Sequence, residues 1–403
     1  MAAFKDRQFL LLAATLALTC LLGWAFKAHC LPGGWTDAEQ YTTGCYSDAV
    51  PFWIGRGLAA GEIPYLQTPL EYPVLTGALI WAEGAVTRTL FGASADAADF
   101  LLVVSLANAG LAFAILWLFR RAGMEPRRLW CWAGAPPLIL YLGHNWDLLA
   151  ALFAVAALLA ARAGRPIWAG ALAGLGFAAK LFPVLLVPLL ELEAPARRRW
   201  GVALAIGAAA LLAWGLVNAP VALLAPVNWA EFFRFSIERP GTAASIWQIA
   251  ASFGLPTSIA ARNLYAGLLF LAGAAGIIAL GWRRHHARLW VLFTPLLAWF
   301  MLANKVYSPQ FDLWLYPLLL LTAPRLWPVA WFVIGDIAAY FGEFWWLAGS
   351  YDAVPYATSG DIALLAGIRA AAMLWLIADA LRRDPPAWLS RTANAPAAAR
   401  TER

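Results

Sequence analysis

Long apolar runs follow one another along the whole chain, each bounded by short polar stretches rich in Arg, Pro or Gly. Many approach the ~20 residues that a helix needs to cross about 30 Å of hydrocarbon. None alternates apolar and polar positions with period two, and the runs are too long for the strands of a membrane barrel. Inside a bilayer every backbone polar group must be satisfied internally, which leaves helices as the spanning element. The pattern therefore predicts an all-α, polytopic membrane protein. The first run, Phe9 to Phe26, follows Lys5 and Arg7 as a signal peptide would. No small-residue cleavage site leads from it into a soluble domain, and more spans follow, so it reads as a retained first span.

The basic punctuation orients these runs. Lys5/Arg7, Arg120-Arg121 with Arg127-Arg128, Arg162/Arg165, Arg197 to Arg199, Arg283-Arg284 with Arg288, Arg325 and Arg382-Arg383 lie between apolar segments. Positive charge stays cytoplasmic. The segments between the clusters must each cross out and back, which predicts about twelve spans with both termini inside. The outer segments are then 27–99, 143–147, the turn at Lys180, 218–258, 304–312 and 349–360. They hold most of the acidic residues and nearly all the unusual polar motifs, so any chemistry belongs to that face. Residues 72–91 look like a span, but counting them as one would put Arg120-Arg121 outside. With Glu83 and Arg88 in the run, the expectation is a helix lying in or dipping into the outer leaflet. An ordinary span with reversed downstream topology is the alternative. The chain reads as one integral membrane domain, 1–383, whose long first extracytoplasmic loop (27–99) carries membrane-surface helices. A Pro-, Ala- and Arg-rich cytoplasmic tail, 384–403, reads as disordered.

Composition agrees with this picture and removes other classes. The 403 residues are 62% hydrophobic and 13% charged, about half the charge density of soluble domains. The 23 Trp suit interfacial belts, and the 25 Pro suit broken or re-entrant helices. The net charge of +6 is spread over the inter-span clusters. It is an orientation signal, not a nucleic-acid footprint, and the expected surroundings are the lipids of a plasma (inner) membrane. A P-loop, zinc spacing, dinucleotide fingerprint and nucleophile elbow are all missing from the sequence, which argues against an ATP-driven pump.

The candidate chemistry concentrates in the outer segments. Asp48 opens a short amphipathic stretch with Trp53 and Leu58 on one side. It reads either as an N-cap or as a general base at the membrane surface. His144-Asn145-Trp146-Asp147 joins two apolar runs, either as an interface cap with a Trp anchor or as a second wall of the same site. The chain has four Lys, and two of them, Lys180 and Lys305, fall on the outer side against the charge bias. A phosphate is the natural partner for such a point charge; snorkelling to the interface is the bland reading. Arg56 joins them as a candidate phosphate ligand, and Glu71, Tyr72, Tyr307 and Gln310 join His144, Asn145 and Asp147 as candidate pocket residues. Asp336 and Glu343 lie two turns apart in an apolar span; they read either as lining an acceptor pocket or as pairing with a basic residue such as Arg369, and the structural pairing is the favoured reading. Cys20 and Cys131 sit inside apolar runs and need no partner. Cys30 and Cys45 share the first outer loop, where a disulfide is expected.

These residues together resemble the GT-C superfamily of membrane glycosyltransferases, and more closely the family 87 group of polyprenyl-phosphate-mannose-dependent mannosyltransferases. The resemblance covers most of the chain. It rests on Ser47-Asp48 through Gly61-Glu-Ile-Pro64-Tyr65, on Glu71-Tyr72-Pro73, on the Gly170-to-Pro183 stretch ending Ala-Ala-Lys180-Leu-Phe-Pro183, and on Tyr307-Ser308-Pro309. It implies a polyprenyl-phosphate sugar as donor, a lipid or glycan acceptor, inversion at the anomeric carbon, Asp48 as base, and Lys180 and Lys305 on the leaving phosphate. Many superfamily members carry paired acids in the first loop, whereas Asp48 has no acidic neighbour. No metal site or cofactor is therefore read, and divalent-metal use stays open. Some relatives show His after the Ser-Pro motif where Gln310-Phe311-Asp312 stands here, which leaves the acceptor open. The competing class is a transporter or flippase of a lipid-linked sugar. It should show inverted repeats with matching broken helices, and none is visible in the sequence.

Overall fold

The computed structural model describes residues 2–36, 38–196 and 198–390. Among them the chain is helical nearly throughout, with no β-strand and one isolated bridge between Pro64 and Thr68. The last residues of the expected cytoplasmic tail, 391–403, lie outside the described residues. α1 (Ala2–Ala28) leads into the first loop, which folds as α2 (Glu39–Thr42), α3 (Ala49–Gly55) and α4 (Val74–Phe91). α5 (Ala97–Arg121) opens on a capping box in which Asp96 and Asp99 answer each other's backbone N–H groups. The next apolar run breaks at Gly134-Ala135 into α6 (Pro126–Ala133) and α7 (Pro136–Tyr141), each started by a proline whose missing N–H costs nothing there. The turn 142–146 leads to α8 (Asp147–Arg162), α9 (Pro166–Ala179), α10 (Leu186–Ala196) and α11 (Trp200–Leu224). The segment 225–258 carries α12 (Pro226–Trp229), α13 (Glu231–Glu238) and α14 (Ile246–Ser252). α15 (Ile259–His285), α16 (Phe293–Ala303), α17 (Asp312–Thr322), α18 (Trp327–Gly349) and α19 (Ser359–Arg382) complete the bundle.

Among the described residues five helices, α1, α5, α11, α15 and α19, are long and apolar enough by themselves to cross a bilayer. The chain is an integral membrane protein. The count differs from the twelve runs expected because several runs are interrupted. Lys180 adopts extended backbone (φ −160°, ψ 154°) ahead of Pro183 and separates α9 from α10. The stretch Asn304 to Ser308 does the same between α16 and α17. These breaks place polar side chains inside the bundle.

α4 touches the same layer along its whole length. Near its start Thr76 Oγ1 donates to Ala179 O at 2.7 Å; at its middle Glu83 accepts from Trp146 Nε1 at 2.6 Å; near its end Arg88 donates to Leu58 O. α5 then begins against that layer, with Phe100 stacked on Trp53 at 5.2 Å. α4 thus meets the end of α9 near its start, the 142–146 turn at its middle and the first loop near its end. α9 and α11 approach closely because Gly170 and Gly174, four apart on one face, have no Cβ. A Cβ at Gly170 would stand 2.6 Å from Ile206 O. Gly335 plays the same part between α18 and α19, bringing Arg369 into the bundle.

Candidate active site

A cavity of about 1060 Å³ opens between the first loop, the Lys180 turn, α13, the start of α15, the 304–314 segment and the end of α18. Its polar wall is built around Asp48. This residue occupies the N-cap position of α3, yet its side chain caps nothing. The carboxylate instead accepts from Tyr46 Oη at 2.9 Å and from Tyr72 Oη at 3.0 Å. Its backbone N–H donates to His144 O at 2.8 Å, and Ser47 Oγ donates to Gly143 O at 2.6 Å, which bolts the loop to the 142–146 turn. Burial pushes the Asp48 carboxyl up from its ordinary range, while the two phenol hydrogen bonds and the Lys180 charge pull it down. The net shift is upward, toward the range useful to a base working near neutral pH. Burial first, then the charges of Lys27 and Lys180, push the His144 imidazole well down, so it is neutral.

The loop itself is held at two points. Cys30 and Cys45 form a disulfide with Cα atoms 6.3 Å apart, both fully buried. The expectation of that bond is met, three residues before Asp48. His29 lies beside the pair, but the two sulfurs are bonded to each other, so this cluster is no metal site. Lys27 is also completely buried. It donates to Gly44 O at 3.1 Å and to Tyr340 Oη, and meets His144 Nδ1 at 3.3 Å. The sequence reading did not single it out. Its only signal was a lysine at the end of an apolar run. Closing a loop of 15 residues removes about 3 kcal/mol of unfolded-state entropy. Reduction, or Cys45→Ser, is expected to lower the thermal midpoint clearly and to reduce transfer activity, read by the same scan with and without reductant. An unchanged midpoint on verified reduction removes this role.

The cations divide into paired and unpaired ones. Lys180 donates to Asp147 Oδ1 at 2.6 Å and lies over the Tyr72 ring at 4.5 Å. Asp147, wholly buried, also accepts from Trp314 Nε1 at 2.7 Å. Arg56 makes a fork on Glu71 at 2.9 and 2.6 Å. Lys305 donates to Ile237 O at 2.7 Å; burial, then the nearby Arg239 and Arg262, lower its pKa. Arg239 faces the cavity and makes no side-chain hydrogen bond among the described residues. Sequence reasoning missed it, because an arginine in a 218–258 loop looks like any other surface charge. Of the predicted site residues, the structure brings Asp48, Arg56, Glu71, Tyr72, His144, Lys180, Lys305 and Gln310 to the cavity wall. Asn145, Asp147 and Tyr307 stand behind it. Asn145 Oδ1 accepts from Asp147 N, Asp147 holds Lys180, and Tyr307 donates to Asp312 at 2.6 Å. An apolar lane of Phe232, Phe235, Ala266, Phe270 and Phe300 leaves the polar end between α13, α15 and α16.

Comparison with known proteins gives this arrangement a family. The profile described as glycosyltransferase family 87 matches residues 72–304, more than half of the chain. The chain is similar to the crystal structure of ArnT from Cupriavidus metallidurans bound to undecaprenyl phosphate. The two share 15% identity and a TM-score of 0.44, over 91% of this chain and 76% of that one. No curated protein matches it. The match to the profile places the chain in glycosyltransferase family 87, and its activity is glycosyl transfer.

Proposed function

We propose that the protein transfers a sugar, mannose by resemblance, from a polyprenyl-phosphate donor to a lipid or glycan acceptor on the outer face of the plasma membrane, with inversion. The observation that carries this reading is one cavity that holds a tyrosine-clamped Asp48, a group of cations and an apolar lane. Asp48 takes the proton of the acceptor hydroxyl. The acceptor oxygen forms a bond to the anomeric carbon from the side opposite the phosphate. The bond from that carbon to the phosphate oxygen breaks, and its electron pair stays on the lipid phosphate. Arg239, Lys305 and Lys180 stand where that charge builds. The phenylalanine-lined lane suits a polyprenyl tail, with the cations at its polar end. α4, whose middle and end meet the 142–146 turn and the first loop, fits a helix lying at the outer surface.

The cavity wall comes from the segments that the charge pattern assigns to the outer side, together with the helix ends beside them. That arrangement supports a transferase over a carrier, which needs a path to both faces. The purified protein is expected to transfer mannose from a synthetic polyprenyl-phosphate mannose and not from a nucleotide sugar. Turnover with the nucleotide sugar, or none with the lipid donor, overturns the proposal. Arg239→Gln and Lys305→Met are each expected to raise the donor KM at least tenfold and leave the acceptor KM within twofold. An unchanged donor KM in both assigns these cations to structure alone.

A further inference from the structure

The cavity floor lies between the turn Pro309–Phe311 and α18, which pack together. Gln310 and Glu343 project from them and line the cavity. Gln310 is 9% exposed and Glu343 is 5% exposed. Gln310 Oε1 and Glu343 Oε1 have no hydrogen-bond partner among the described residues. Arg369 Nη2 and Glu343 Oε1 form an ion pair at 3.7 Å, beyond hydrogen-bond reach, so the carboxyl group keeps its hydrogen-bonding capacity. The guanidinium gives one hydrogen bond, from Nη1 to Asp312 Oδ2 at 2.9 Å, and lies over the face of Tyr307, while Nε and Nη2 have no hydrogen-bond partner among the described residues. The expected pairing with Arg369 is thus met by Glu343 as an ion pair without a hydrogen bond, while Asp336 accepts from Tyr141 instead, and Glu343 also lines the cavity. Beside this floor Tyr41 stacks on Tyr46 and on Phe344, with centroids 6.0 and 6.3 Å apart and planes within about 20°. Tyr46 Oη is the group bonded to Asp48, so the floor adjoins the base.

We infer that Gln310 and Glu343 form a carbohydrate-binding subsite that accepts the hydroxyl groups of one neutral sugar ring, with the Tyr41/Tyr46/Phe344 wall against its apolar C–H face. This rests on the transferase reading above. Buried acceptors without partners recover their lost hydration only from a donor, and a sugar ring offers several hydroxyl donors in fixed geometry. A uronic acid would place its carboxylate beside the Glu343 carboxyl group and is expected to bind more weakly at this subsite. The same chemistry is available from the ring being transferred or from a ring of the acceptor.

Two measurements in lipid nanodiscs test the subsite. The first compares wild type with Glu343→Gln and Gln310→Ala on deoxy series of the donor sugar and of the acceptor sugar. In wild type, removing the recognised hydroxyl should lower kcat/KM at least tenfold; in the variants the same removal should cost less than threefold. A shift in the donor series assigns the transferred ring, and one in the acceptor series assigns the acceptor ring. Equal penalties in wild type and both variants overturn the subsite. The second is saturable quenching of aromatic fluorescence by an octyl mannoside and by the matching uronide, which needs no turnover. Mannoside binding that both variants weaken at least fivefold supports the subsite even if the lipid donor proves wrong. No saturable mannoside binding, or equal binding of the uronide, overturns it. Thermal scans of both variants, which lie on different elements, report folding.

Discussion

Asp48→Asn is expected to abolish sugar transfer, lowering kcat by about 10²–10⁴-fold, the usual contribution of a positioned base. The change keeps size, and its single amide oxygen still accepts from one of the two tyrosines, Tyr46 or Tyr72, whose hydroxyls stand 2.9 and 3.0 Å from the carboxylate, while its NH2 faces the other. The thermal midpoint should therefore stay near that of wild type, because the side chain caps no helix and carries no ion pair. Retention of more than a tenth of wild-type kcat removes Asp48 from the role. The pH profile gives a second check. A base works only when deprotonated, so transfer falls as pH drops through its pKa. Burial raises that pKa, and the acid limb of kcat/KM should lie above the ~3.9 of a free aspartate. Tyr72→Phe deletes a hydrogen bond that holds the pKa down, so its limb should move to higher pH. A limb that moves down or stays put contradicts the arrangement.

Arg369→Met is expected to destabilise the protein more than any other single change considered. The guanidinium is 1% exposed. It pairs with Asp312, which is wholly buried, and stands beside Glu343. Asp336, also wholly buried, accepts from Tyr141 close by. Removing the one cation leaves several carboxyl groups together with no counter-charge, and breaking a buried pair from one side costs about 3–5 kcal/mol. The variant should express poorly or unfold well below wild type. Exposed pairs behave differently. Arg284 and Arg288 meet Asp384 at 3.3 and 2.6 Å with much of the carboxylate in solvent. Asp384→Asn should cost about 0–1 kcal/mol. Thermal unfolding of the two variants side by side tests the contrast. Equal midpoints mean that the buried cluster contributes no more than a surface pair.

The contrast also marks how far a linear reading reaches. Hydropathy predicted a helical membrane protein because each residue meets lipid or protein whatever its partners, and the apolar runs record that directly. The Cys30–Cys45 bond was legible for a similar reason: the other two cysteines lie in apolar runs. Asp48 stood out as an acid in the first loop, and the proline breaks announced interrupted helices. Pairings between distant segments were not legible. Tyr72, 24 residues away, takes the Asp48 carboxylate that would otherwise cap its helix; Asp147 pairs with Lys180 across 33 residues; Asp312, not Asp336, closes on Arg369 across 57 residues. Arg239 and Lys27 gained their places in the same way, one facing the cavity, the other buried among three neutral partners. Whether a segment enters the bilayer is decided by its own composition and so can be read along the chain. Which charge meets which depends on the helices that become neighbours, and close approaches such as those of Gly170 and Gly335 exist only once the bundle has packed.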